Sequence, residues 1–170
     1  MIVLRKLIVL LLCLVAMPVP ADAAVTVSFY SRGLGSSFPH ALVAVSGTLD
    51  RSGAVVDTNF GFTAKSVSPA LLMGPVTGVV EISTAKYLKG SERQFAVTIT
   101  DQQYDQILAH VEKWRNLPQK SYDLDTRNCI HFAGSIAELL GLTVSYDKKL
   151  IKKPKSFLLS VIALNPKLKS

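Results

Sequence analysis

Cys129 is the residue in this chain best placed to do chemistry. It stands in Tyr122-Asp-Leu-Asp-Thr-Arg-Asn-Cys129-Ile-His-Phe132, at the start of an apolar run with helical period. The other cysteine, Cys13, lies in an N-terminal segment with the marks of a signal peptide. A chain left with one thiol closes no internal disulfide, so Cys129 is a free thiol, an intermolecular link or a nucleophile. A helix N-terminus offers unpaired N–H groups and about half a positive charge, which favour thiolate and can also receive an oxyanion. The competing assignment is a small buried core residue, a common fate of free cysteine.

A nucleophilic thiol needs a base, and the chain has three histidines. His131 is two positions beyond Cys129, about 200° around a helix, so its ring should face away from the thiol. His110 reads as a solvated position on an earlier helix. His40 opens the apolar stretch His40-Ala-Leu-Val-Ala-Val, where a loop would deliver it to the rim of a cleft. It is the expected base, and a protonated His40 beside the helix terminus should hold the thiol below its free value of about 8.5. A third group should orient the imidazole. Asn59 is the first choice, with Asp57 as the alternative; both share one face of the next strand. Cys129-x-His131 lacks the second ligand pair of a tetrahedral zinc site, so neither metal nor cofactor is expected.

The positioning elements follow from periodicity. Alternation predicts strands over 25–30, 40–46, 54–62, 76–83 and 94–100, with a loop or short helix over 66–74. The period then changes. Thr100 with Gln103 three residues on is a capping-box spacing, and Pro118 ends the helix. A second helix should run over 129–140, capped by Thr126 or Asn128 and stopped at Gly141. A short helix over 156–163 should pack on the domain. Strands first and helices later, without βαβ alternation, give an α+β class: a small antiparallel sheet packed against helices.

The ends of the chain bear on location. Arg5 and Lys6 precede the apolar run 7–17, Pro18 and Pro20 break it, and Ala21-Asp-Ala23 supplies a small-x-small cleavage site. The run is too short to span a bilayer core of roughly 30 Å. Export to the periplasm or medium is expected, with residues 1–23 removed and 24–170 forming a single domain. The formal charge is +7, concentrated in the segment 148–170. That basic segment suits a solvated tail or contact with an anionic surface. No basic–aromatic interleaving accompanies it, which argues against nucleic acid.

Phe38-Pro-His40-Ala-Leu-Val-Ala-Val and Asn128-Cys-Ile-His-Phe132-Ala together resemble the circularly permuted papain-like cysteine hydrolases. That group includes permuted NlpC-type hydrolases and lecithin–retinol acyltransferase relatives. In it the histidine strand precedes the cysteine helix, as it does here over roughly 25–142. The resemblance implies a papain-like fold with Cys129 as nucleophile, His40 as base and a third polar residue on the following strand. It implies a thiol hydrolase cleaving an amide or peptide bond through a thioester, and the expected export makes cell-wall peptide (peptidoglycan) the natural amide-rich substrate. The alternatives are a lipid acyltransferase or esterase of the same fold, and a non-catalytic binding domain.

Overall fold

The computed structural model describes residues 24–33 and 38–169. The expected signal segment, 1–23, lies outside the described residues. Five antiparallel strands form one sheet: β1 (Val25–Arg32), β2 (His40–Thr48), β3 (Val55–Ala64), β4 (Gly78–Glu81) and β5 (Glu92–Ile99). Their order is β4-β3-β2-β1-β5, so β2 is the central strand, flanked by β3 and β1. Among the described residues, four α-helices complete the fold: α1 (Ala85–Lys89), α2 (Asp101–Arg115), α3 (Cys129–Leu139) and α4 (Pro154–Leu164). A one-turn 3-10 helix, Pro69–Leu72, sits between β3 and β4. The α+β class expected from the order of periods is the class observed.

Register explains where the core lies. Val27 pairs with Val45 and Phe29 with Val43 between β1 and β2, while Val27 and Phe29 face Val97 and Phe95 of β5. Side chains alternate across a strand, so these residues line one face. Helices α3 and α4 pack there, α3 against β2 and β3 and α4 against β1 and β5. Ile130, Phe132, Ala133, Ile136 and Ala137 of α3 and Phe157, Leu158 and Val161 of α4 are fully buried among them. The stretch 156–163 therefore belongs to a core helix, longer by a few residues than its apolar run suggested. An edge-to-face cluster ties α2 to this layer, with Trp114 4.8 Å from Phe62 and 5.2 Å from Phe132 between ring centres.

Capping fixes the helix starts. Thr100 and Gln103 form the expected capping box on α2. Asn128, not Thr126, caps α3, and its box is closed by His131. The strand expected over 76–83 is shorter, because Val76 instead makes a bridge with Tyr122 that ties this loop to the segment before α3. Helix α1 is one that periodicity does not reveal; Thr84 caps it by accepting from the Tyr87 N–H, and Gly90 follows its end.

Candidate active site

The segment entering α3 is locked before the thiol is reached. Asp123 Oδ1 accepts from the Asp125 and Thr126 N–H groups at 2.9 and 2.8 Å, closing a tight turn bridged by Asp123 and Arg127. Asn128 then uses its whole side chain. Its Oδ1 accepts from the Ile130 N–H at 2.8 Å, and its Nδ2 donates to Leu124 O at 2.7 Å and Ile151 O at 2.8 Å. One buried amide thus joins the turn, the helix start and the residues before α4. That bond makes the basic C-terminal segment part of the site wall, since Ile151, Lys152 and Pro154 line the same cavity as Cys129.

The cavity has a volume of about 900 Å3, and both His40 and Cys129 open onto it. Strand pairing shows how it arises. β3 pairs with β2 only as far as Val43 opposite Phe60, and from Gly61 onward it pairs with β4. The β2–β3 ladder stops short of Ala41, whose N–H lies beside the Cys129 sulfur and favours its charged form. The Tyr122 hydroxyl also lies beside that sulfur, while the Ile130 N–H is taken by Asn128 Oδ1. The Tyr122 oxygen in turn accepts from the Cys129 N–H. The Tyr122 ring packs 5.4 Å from Phe62, which aims its hydroxyl at the helix start.

His40 sits over Gly61. A Cβ added to Gly61 would lie 2.6 Å from His40 Nε2 and 3.4 Å from Leu42 Cβ, so the ring occupies the space a side chain would fill. It forms no hydrogen bond with another described residue, Cys129 included. Asn59 and Asp57 stand elsewhere. The Asn59 amide is taken by Ser83, donating to its carbonyl at 3.0 Å and accepting from its N–H at 2.7 Å. Asp57 is exposed opposite Ser46, well down the strand from Gly61. Both line a second cavity with Tyr30 and Arg93, not the one holding the thiol. Asn59 and Asp57, two positions apart on β3, thus line a cavity that His40 does not. The orienting role expected of Asn59 is replaced by a clamp on Ser83, which itself lines the Cys129 cavity.

The other two histidines are structural. The His131 ring accepts from the Asn128 N–H at 3.2 Å and stacks on Tyr146 at 5.3 Å between centres, facing away from the thiol as expected. His110 is half-buried rather than solvated. Its Nε2 accepts from Trp114 Nε1 at 2.9 Å and lies 2.7 Å from Ser135 Oγ, joining α2 to α3. Because indole only donates, Nε2 carries no proton and the ring is the neutral Nδ1–H form.

Comparison with protein-family models, curated proteins and solved structures gives no match to this chain. Its chemistry therefore rests on the site itself.

Electrostatics overturn one expectation. Burial pushes the Cys129 thiol up from an ordinary 9.0 to about 11, and the surrounding donors offset only part of that shift. Enclosure in apolar surroundings disfavours the charged sulfur more than the helix terminus favours it. Burial likewise pushes His40 down from 6.5 to about 4. At neutral pH the cavity holds a neutral thiol and a neutral imidazole. Alkylation of Cys129 by iodoacetamide at pH 7.5 should accordingly be slower than that of a free cysteine and rise only above about pH 9. A rate that plateaus below pH 8 would show a preformed thiolate instead.

Proposed function

We propose that the chain is an exported thiol hydrolase with a permuted papain-like arrangement, in which Cys129 attacks an acyl carbonyl and His40 is the base. The observation that carries this is the place of Cys129 at the first position of α3, with the Ala41 N–H and the Tyr122 hydroxyl beside its sulfur, in a cavity that it shares with His40. A neutral starting pair suits general-base attack. Neutral imidazole has a free lone pair, and the thiol proton moves to it as the sulfur–carbon bond forms. Charge then develops on the carbonyl oxygen, and the Tyr122 hydroxyl beside the sulfur is the donor we assign to it. Protonated His40 gives its proton to the departing amine or alcohol as the carbon–heteroatom bond breaks. Water, deprotonated by His40, hydrolyses the thioester and returns the thiol.

The bond we propose is an amide or peptide bond, with wall peptide as the substrate. A second reading, a non-catalytic binding domain of the same fold, is supported by the raised thiol pKa. The two part on one experiment: acid quench of the protein with an activated acyl ester or anilide, followed by peptide mass mapping. The hydrolase should carry an acyl mass on Cys129 that hydroxylamine removes. A protein that binds such compounds without ever acylating Cys129 is the binding domain.

A further inference from the structure

We propose that the mouth of the Cys129 cavity docks on an anionic lipid surface. Eight large apolar side chains are exposed among the described residues; three of them line this mouth and two more follow a residue of its wall. Phe38, Val67 and Ile82 line the cavity and are 61%, 64% and 60% exposed. Leu72 and Met73, 79% and 88% exposed, follow Leu71, which is buried and forms part of the cavity wall. These residues come from three separate segments: the entry to β2, the stretch around the one-turn helix, and the residue after β4. None serves the core. Apolar side chains gathered on one rim while the interior is filled mark a surface that is covered in use.

The charges around this rim select the occupant. Lys65, Lys86, Lys152 and Lys153 are exposed on the segments that carry or flank it. Glu81 lines the cavity and Asp125 holds Lys152 at 2.6 Å, so the local field is mixed. The net charge supplies the longer-range attraction, because residues 24–170 carry +6. Protein interfaces are depleted in lysine and anchored by Trp, Tyr and Arg at their centre. This rim is aliphatic apart from Phe38 and is bordered by lysines, the composition of a peripheral membrane contact. Docking there would bring the cavity mouth against the lipid headgroups.

The test uses the chain beginning at Ala24, which retains every described element, with sedimentation of vesicles made of phosphatidylcholine alone or with added phosphatidylglycerol. The wild type should sediment with the anionic vesicles and be partly released by salt. Leu72→Ser with Met73→Ser, both exposed and neither lining the cavity, should melt as the wild type does and bind those vesicles about tenfold or more weakly. Cys129→Ser should bind as the wild type does, which separates this inference from the hydrolase reading. Absence of binding to anionic vesicles would overturn it. So would equal binding by the double variant, which would assign attraction to the C-terminal lysines alone. A wild-type dimer in light scattering that the double variant loses, without vesicle binding, would assign the rim to a second copy of the chain.

Discussion

Cys129→Ser should lower turnover of an activated acyl ester or anilide by roughly 10^4-fold or more while leaving the melting temperature nearly unchanged. Serine keeps the volume close and retains a donor and acceptor among the N–H groups around the sulfur, but neutral imidazole at this site is too weak a base to activate a hydroxyl well. Two further variants show which surroundings matter. Tyr122→Phe keeps the ring against Phe62 and removes only the hydroxyl, and it should cost about 10^2- to 10^3-fold in kcat with little change in KM, as loss of one oxyanion donor does. Gly61→Ala places a methyl 2.6 Å from His40 Nε2, so the ring must move, and turnover should fall by at least about 10^2-fold. Full turnover in Gly61→Ala would remove His40 from the reaction. Full turnover in Cys129→Ser would remove the thiol, and with it the proposal.

Much of this architecture is legible in the residues. The strand-then-helix order gives the α+β class, the Thr100–Gln103 spacing gives the start of α2, and helical period gives α3 with Cys129 at its first position. His131 facing away follows from the angular step of a helix alone. What is not legible depends on partners distant in sequence. Nothing local to Asn59 shows that β3 changes partner two residues later, which is why its amide finds Ser83 rather than an imidazole. Tyr122 lies in a polar stretch without period; its only local sign is an isolated aromatic close before the cysteine. The thiol pKa depends on how completely the cavity encloses the sulfur. A terminal dipole can be inferred from sequence, whereas the burial that outweighs it cannot.

The wild type should lose about 3 kcal/mol of stability through His40 alone as pH falls from 7 to 4. The unfolded ring binds a proton near 6.5 and the folded ring only near 4, so within that window the unfolded chain holds more protons. Stability from this group is therefore complete above about pH 6.5 and drains away as pH falls toward 4. Burial also pushes His110 and His131 down, so the raw acid limb contains their shares as well. The difference between wild type and His40→Gln, measured by urea unfolding at several pH values, isolates the His40 share. Parallel stability curves would mean that the ring is solvated, contrary to its packing over Gly61. The same depressed pKa governs catalysis. A base that must be unprotonated stays so until the pH approaches 4, so kcat/KM should hold its neutral value down to about pH 5 instead of falling below 6.5. An acid limb centred near 6.5 would point to a different base, and His110 and His131 are both committed to structural hydrogen bonds.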